Sequence, residues 1–238
     1  MTIPRRIPIL LFCVSVLMSV PAGLVPAQEE SLKPGVNRSY ENIKDAQRTA
    51  NSYERESRDV VQKRDEIVAA CQLEPGKDVA DIGAGTGLFT RPFARKVAPG
   101  GKVYAVDITG PFVDHIEKTC REQKITNVVG VLCTPTSAKL LPDSIDRAFV
   151  CDTYHHFEYP YKMLDSIHRA MRPGARLIIV DYKKEKGVSP GWVFGHVRAD
   201  KKMVIKEVTH AGFKFLDELD LMKCQYVLRF EKTGRGSP

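Results

Sequence analysis

The sequence predicts an α/β fold, a three-layer sandwich in which helices cover both faces of a mostly parallel sheet. Short apolar strand patterns alternate with helical patterns between residues 57 and 212, as is typical of such sheets. The chain has 238 residues, 43% of them hydrophobic, which is enough for one domain with a substantial core. In this class, ligands bind beyond the carboxyl ends of the strands. Functional residues are therefore expected at that edge of the sheet.

The first half of the domain is predicted to contain three helices and two strands. Val60, Val61, Ile67 and Val68 recur at helical spacing, and Pro111 is a favourable first residue for a later helix. Short apolar runs bounded by glycine and charged residues predict the strands. The predicted helices cover 57–71, 87–98 and 111–123, and the predicted strands cover 78–83 and 101–108.

The second half continues this alternation and then ends in a hairpin-like pair. Pro160 begins a helix, which the sequence Arg172-Pro173-Gly174 is expected to end. The last two strand patterns follow one another closely, which predicts an antiparallel pair. The predicted strands cover 127–133, 145–152, 175–181, 214–222 and 225–232, and the predicted helices cover 160–171 and 198–212.

Residues 1–27 are predicted to be a signal peptide. Arg5 and Arg6 form a basic start, an apolar stretch follows, and Ala27 is the small residue that a signal peptidase prefers. We therefore expect an exported protein, periplasmic or secreted, or a membrane-anchored one if the segment is not cleaved. The apolar run is short and interrupted by prolines, so no stable membrane span is expected after cleavage.

Composition divides the rest of the chain into three parts. Residues 28–52 are polar and are predicted to be a linker or a loosely attached arm. Residues 53–232 carry the alternating patterns and form the predicted domain. Residues 233–238 are predicted to be a flexible tail.

Charge and cysteine spacing argue against several classes of function. The formal net charge is +7, and the two arginines of the predicted signal peptide leave +5 on the remainder. These charges are scattered rather than clustered, so no nucleic-acid partner is expected. The six cysteines show no Cys-x-x-Cys spacing, so neither a disulfide framework nor a zinc site is predicted. The default interpretation is buried free thiols.

A glycine-rich turn follows the first strand and opens the next helix. Gly83, Gly85 and Gly87 have the spacing G-x-G-x-G, whereas a dinucleotide-binding turn would carry its third glycine where Leu88 stands. Asp81, two residues before the first glycine, is poorly placed for a phosphate but well placed for an ammonium group. Asp107, at the end of the second strand, suits a ribose diol. A nucleoside with a cationic amino-acid tail, such as S-adenosylmethionine, satisfies both carboxylates.

Four blocks of the sequence resemble the successive motifs of class I S-adenosylmethionine-dependent methyltransferases. They are "VADIGAGTG", "VYAVDI", "LPDSIDRAFVCDTYHHF" and "IHRAMRPGARLIIVD", and the resemblance extends from about Arg55 to Lys232. It is closest to a bacterial subgroup of predicted methyltransferases with the motif "YHHFEYP". The resemblance implies a Rossmann-like, seven-stranded sheet whose last strand is antiparallel and inserted beside its neighbours.

The resemblance also assigns cofactor contacts. It implies that Asp81 and the glycine turn lie near the methionine moiety and that Asp107 binds the ribose. The family often has an acidic residue after strand three for the adenine amino group, and Ser137 stands at that position here. The predicted cofactor-binding residues are Asp81, Gly83, Ala84, Gly85, Gly87, Asp107, Ile108 and Ser137.

The segment after the fourth strand is predicted to meet the methyl acceptor. It supplies Asp152, Tyr154, His155 and His156, and a histidine there can remove a proton near neutral pH. Because adjacent side chains point in different directions, only one of the two histidines is expected to face the pocket.

Further residues are predicted to complete this pocket. They are Asp181, Tyr182, His196 and Arg198, with Trp192 as part of a lid. A magnesium site on Asp152 and Asp181 is an alternative, but Tyr182 stands where such enzymes carry an asparagine, and no metal is predicted.

The leading hypothesis is a methyltransferase that acts on a small molecule. An exported protein that binds S-adenosylmethionine or a nucleoside without catalysis is the alternative, and Ser137 favours it. A nicotinamide oxidoreductase is disfavoured by Leu88 and Asp81. The acceptor and the oligomeric state are not indicated by the sequence.

Overall fold

The computed structural model describes residues 28–40, 43, 46–55 and 57–234. The predicted signal peptide and residues 235–238 of the predicted tail lie outside the described residues. Within the described ranges, no helix combines the length and the apolar character needed to cross a bilayer.

A seven-stranded sheet forms the centre of the fold, in the order β3-β2-β1-β4-β5-β7-β6. Strands β1 to β5 are parallel, and β7 is antiparallel to both of its neighbours, β5 and β6. The predicted α/β, Rossmann-like class is confirmed, including the antiparallel last strand inserted beside its neighbours. The strands are β1 (Val79–Ile82), β2 (Val103–Asp107), β3 (Val128–Leu132), β4 (Ile145–Cys151), β5 (Met171–Tyr182), β6 (Phe213–Leu219) and β7 (Gln225–Lys232).

Eight α-helices and one 3₁₀ turn are present among the described residues. They are α1 (Ala46–Tyr53), α2 (Asp59–Gln62), α3 (Arg64–Ala70), α4 (Thr90–Val97), α5 (Gly110–Glu122), the 3₁₀ turn Tyr154–His156, α6 (Pro160–Ala170), α7 (Gly191–His196) and α8 (Lys201–His210).

Two local expectations were wrong. The helix predicted over 57–71 is divided at Lys63, whose backbone leaves the helical region. The strand predicted over 175–181 begins earlier, at Met171, where the chain pairs with Ile145 before the register shifts. The helix that begins at Pro160 ends before Arg172-Pro173-Gly174, as predicted. Most of α1 lies within residues 28–52, the segment predicted to be a linker or a loosely attached arm.

The two faces of the sheet bury separate apolar clusters. Ala80 and Ile82 of β1 belong to one cluster and Val79 to the other, since side chains alternate along a strand. In the second cluster, the ring of Phe149 lies 4.8 Å from that of Phe89 and 5.0 Å from that of Phe93. Each face is therefore closed by helices, as expected for a three-layer arrangement.

Residues on either side of the predicted domain pack against it. In the predicted arm, the Leu32 amide donates to the Glu158 carbonyl at 2.9 Å, and the Ser31 hydroxyl donates to the Glu158 carboxylate at 2.9 Å. In the predicted tail, the Thr233 amide and hydroxyl both donate to the Gly212 carbonyl. The domain boundaries themselves stay predictions.

Candidate active site

A cavity of about 430 Å³ opens at the carboxyl ends of β1, β2 and β4. The chain passes from β1 to β2 and β3 on one side and resumes with β4 on the other, so the cavity lies at the switch point of the sheet, where this class binds ligands. Its volume is within the range of small-molecule sites. Asp81, Gly83, Ala84, Gly85, Asp107 and Ile108, all predicted cofactor residues, line it.

The glycine turn brings backbone close to this cavity. Gly83 has a φ of +72°, and a Cβ there would lie 2.2 Å from the Thr153 side chain, so only glycine fits. Gly85 has a φ of +54°, and a Cβ there would meet no atom within 4 Å. Gly87 does not line the cavity and faces Ile116 instead. Two of the three predicted glycines therefore border the ligand space.

Asp81 and Asp107 face the cavity from neighbouring strands. Thr90 donates its hydroxyl proton to Asp81 at 2.6 Å, and burial raises the pKa of Asp81 to about 7 against the opposing effects of Thr90 and Arg91. Asp107 accepts from the amides of Gly85 and Thr109, each at 2.8 Å. Burial raises the pKa of Asp107 as well. Each carboxylate oxygen retains a lone pair for a further donor.

Asp152 lies on the cavity wall after β4 and is held from two directions. Arg58 donates to one carboxylate oxygen at 2.6 Å, and the Gln225 amide donates to the other. Burial raises the pKa of Asp152 to about 6, although Arg58 opposes the shift. Its backbone φ of +47° is unusual for a residue other than glycine. The Arg58–Asp152 pair leaves Asp81 and Asp107 as the uncompensated acids of the cavity lining, which favours a cationic ligand.

Both adjacent histidines face the cavity, so the expectation that only one would do so was wrong. The 3₁₀ turn places the rings of His155 and His156 4.3 Å apart, and His196 at the end of α7 adds a third ring 5.0–5.1 Å from each. His155 Nδ1 lies 2.7 Å from Asp181 Oδ1. We refer to His155, His156 and His196 as the histidine cluster.

The three imidazoles differ in the direction in which their surroundings shift the pKa. Burial lowers the pKa of His156 to about 3, and the neighbouring His155 and His196 add to the shift. Burial also lowers the pKa of His196. The Asp181 carboxylate outweighs burial at His155 and raises its pKa.

Besides Gly87 and Asp181, three predicted site residues lie outside the cavity lining. Tyr154 is fully buried and donates its hydroxyl proton to Glu207 at 2.7 Å, because the 3₁₀ turn directs it into the core. Arg198 is paired with the same Glu207 through two hydrogen bonds. Ser137 lies 3.2 Å from the Ser166 hydroxyl, oxygen to oxygen, and is turned towards α6. These side chains pack behind the residues that line the cavity and do not line it themselves.

Other side chains take the place predicted for Ser137. The end of the cavity near β2 and β3 is lined by Cys133, Thr134 and Pro135, and Ile108 and Phe112 also line the cavity. This mostly apolar lining suits an adenine ring. All five cysteines within the described ranges are free thiols. Cys71 and Cys120 are buried, as predicted, whereas Cys133, Cys151 and Cys224 are half-buried.

Residues of the predicted linker cover the cavity, and sequence reasoning missed them. The Asn37 side chain donates to the His156 carbonyl at 3.1 Å, and Tyr40 packs edge-on against the His156 ring. After α1, Glu54 accepts two hydrogen bonds from Arg91 and one from Thr86 beside the glycine turn. Tyr40, the one aromatic residue between positions 28 and 52, was the available signal.

An aromatic wall closes the opposite side. Trp192, half exposed, lies edge-on to Tyr182 at 4.8 Å between ring centres and 5.6 Å from the His196 ring. Trp192 lies on α7, in the stretch predicted as a lid. It lines the cavity, and its movement stays a prediction.

Residues 80–179 match the family model of a methyltransferase domain. Among curated proteins, the chain is 27% identical over 113 residues to the ubiquinone/menaquinone biosynthesis C-methyltransferase of Hydrogenovibrio crunogenus, covering 47% of this chain and 44% of that protein. It is 32% identical over 120 residues to the enzyme of the same description from Ectopseudomonas mendocina, with the same coverages of 47% and 44%. The chain therefore spans less than half the length of these relatives.

Solved structures share the fold. An S-adenosylmethionine-dependent methyltransferase from Aquifex aeolicus aligns with a TM-score of 0.70 at 22% identity, over 79% of this chain and 98% of that one. A 1,6-didemethyltoxoflavin-N1-methyltransferase from Burkholderia thailandensis, solved with S-adenosylhomocysteine, aligns with a TM-score of 0.62 at 20% identity, over 84% and 88% of the two chains. These likenesses, both below 25% identity, show that the chain shares the fold of these two proteins.

Proposed function

We propose that this protein transfers a methyl group from S-adenosylmethionine to a small-molecule acceptor. One observation carries the proposal: Asp81 and Asp107 face the same cavity across the glycine turn, while Asp152 is neutralised by Arg58. The two remaining carboxylates match the ammonium group and the ribose diol of the cofactor. In this arrangement the adenine lies against Cys133, Thr134 and Pro135.

The acceptor is assigned to the part of the cavity that the histidine cluster and the aromatic wall line together. Methyl transfer breaks the sulfonium S–CH₃ bond, whose electron pair stays on sulfur, and forms a bond from the methyl group to the acceptor. The leaving group is already activated, so the protein mainly aligns the two molecules and excludes water. His155, His156 and Asp152 are proposed to contact the acceptor, whereas Tyr154 lies too deep to do so.

Calorimetry with the full chain tests the proposal. We expect S-adenosylmethionine and S-adenosylhomocysteine to bind with one site per chain, and NADH to show no heat of binding. Incubation with S-adenosylmethionine and candidate acceptors is then expected to release S-adenosylhomocysteine. Equal binding of NADH, or no binding of either adenosyl compound, would contradict the proposal. Tight binding without turnover of any acceptor would favour the non-catalytic alternative.

Gly85→Ala is expected to weaken S-adenosylmethionine binding at least tenfold, because the new methyl group would project into the space beside the ligand. The matched control is Gly76→Ala. Gly76 also has a positive φ, +82°, and open space at its Cβ, but it lies outside the cavity lining. Both variants carry a backbone cost of about 1–2 kcal/mol, which thermal unfolding measures. Equal affinities in the two variants would argue against a ligand at the turn.

Cofactor affinity is expected to fall as the pH drops through about 7. Asp81, with a pKa of about 7 in the free protein, must be ionised to balance the ammonium group, so binding is strongest above that value and is lost below it. Well below the pKa of Asp81, the affinity is expected to fall by about tenfold for each pH unit. Calorimetry across this range measures it. Asp81→Asn should bind weakly with no such dependence, and an unchanged pH profile in that variant would exclude Asp81 as the titrating group.

A further inference from the structure

We propose that the histidine cluster is a binding site for a divalent d-block metal ion, with zinc as the best-fitting occupant, and that its open position faces the methyl acceptor. The role towards the acceptor rests on the proposed function, whereas the metal site itself does not. The ring nitrogens of His155, His156 and His196 include one ligand atom each that lie within 4.8 Å of one another.

The spacing of two of these nitrogens fits a metal better than a direct hydrogen bond. His156 Nε2 and His196 Nε2 lie 3.4 Å apart, which is long for an N–H···N contact. Two imidazole nitrogens bound tetrahedrally at about 2.0–2.1 Å from zinc are separated by about 3.3–3.4 Å. The ligand atom of His155 lies within 4.8 Å of both.

The Asp181 carboxylate fixes the orientation of the His155 ring, as carboxylates do in many metal sites. Asp181, 1% exposed, occupies His155 Nδ1 at 2.7 Å and also accepts from the His155 amide at 3.0 Å. This leaves Nε2 as the free nitrogen of that ring. A carboxylate that binds the outer nitrogen of a histidine ligand fixes its tautomer and orientation and raises its basicity.

His156 lacks an outer partner of the kind that Asp181 gives His155. Within the described part of the chain, His156 Nδ1 is buried without a hydrogen-bond partner. Coordination through His156 Nε2 would make Nδ1 the protonated nitrogen. The proposed site therefore has a carboxylate behind His155 and no such partner behind His156.

The charges around the cluster are balanced. Asp181 lies behind His155, and the Lys33 ammonium group donates to the carbonyls of Gly195 and His196. Asp152 is paired with Arg58 and adds no net charge. The argument for a cation therefore rests on the three imidazoles and on the carboxylate behind His155.

The choice of metal follows from the donors. Neutral imidazole suits zinc, copper, iron and nickel, whereas magnesium prefers oxygen ligands. Three histidines with one open position form a recurrent catalytic zinc set. All three residues line the cavity, so the open position faces the acceptor and would take a hydroxyl, thiol or carbonyl group.

The test uses the full chain without a polyhistidine tag, treated with a chelator and then titrated. We expect calorimetry to show one zinc ion per chain, and cobalt(II) to develop the intense visible absorption of a tetrahedral ion. His196→Ala is expected to weaken zinc binding at least a hundredfold, and Asp181→Asn by roughly 10–100-fold. His210→Ala, which removes an exposed histidine of α8, should bind as the parent does.

The outcomes separate this proposal from the preceding one. No zinc binding, or equal zinc affinity in His196→Ala and His210→Ala, would overturn the metal site. Titration of S-adenosylmethionine on the same samples reads out the cofactor independently. Zinc binding without cofactor binding supports the site and rejects the proposed function, whereas cofactor binding without zinc binding does the reverse. Circular dichroism identifies any variant that fails to fold. In that case the cobalt absorption of the parent protein decides whether the metal site is present.

Discussion

Replacing Arg198 with alanine is expected to lower the free energy of unfolding by about 3–5 kcal/mol. The guanidinium donates to both oxygens of Glu207, at 2.7 and 2.8 Å, and Tyr154 donates to the same carboxylate. Glu207 is only 2% exposed. Removal of Arg198 would leave a buried carboxylate with one neutral partner, and such a charge is costly away from water.

Urea-induced unfolding of Arg198→Ala and of a matched variant measures this effect. The control is Lys201→Ala, which breaks the Lys201–Glu218 pair, whose side chains are both 30% exposed. Partly exposed pairs contribute about 0–1 kcal/mol. A similar decrease in the free energy of unfolding in the two variants would show that burial does not strengthen the Arg198–Glu207 pair. Cofactor affinity should stay near that of the parent in both, because neither residue lines the cavity.

Replacing Asp107 with alanine is expected to weaken S-adenosylmethionine binding by about 2–4 kcal/mol, or roughly 30- to 700-fold. The carboxylate is 6% exposed and orders both the Gly85 and Thr109 amides. Its loss removes the acceptors for the ribose hydroxyls and leaves two amide donors unpaired. Calorimetry on the full chain, with the same cofactor preparation throughout, gives the ratio of affinities.

Asp114→Ala is the matched control for this experiment. Asp114 is an exposed acid on α5, the helix that follows Asp107, so it tests the general effect of removing a negative charge. We expect Asp114→Ala to bind as the parent does. If Asp107→Ala bound equally well, the ribose could not lie at β2, and the proposed orientation of the cofactor would be wrong.

The features that depend on neighbouring residues were predictable from sequence. Asp81 and Asp107 end adjacent strands of a parallel sheet, so their meeting at one edge follows from strand direction alone. The turn at Gly83 and Gly85 likewise requires only local backbone freedom. These features depend on contacts over a few residues and on a sheet order common to the fold class.

The features that depend on distant contacts were not predictable. Arg58 reaches Asp152 across 94 positions, and His196 meets His156 across 40. No spacing pattern marks such a pair, which is why a metal site was not expected. The direction of Tyr154 depends on the 3₁₀ turn Tyr154–His156, which no pattern in the segment after the fourth strand predicted.

The two hydrogen bonds that hold the Asp152 carboxylate have a consequence for shortened forms of the protein. Its two carboxylate oxygens are held by Arg58, near the start of the sheet-forming region, and by Gln225 in the last strand. Residues far apart in the chain therefore meet at one side chain on the cavity wall. A shortened form that begins after Arg58 would keep every strand of the sheet but would leave the buried Asp152 without its cationic partner. A shortened form that ends before Gln225 would also lose β7, which lies between β5 and β6, so the sheet itself would be disrupted.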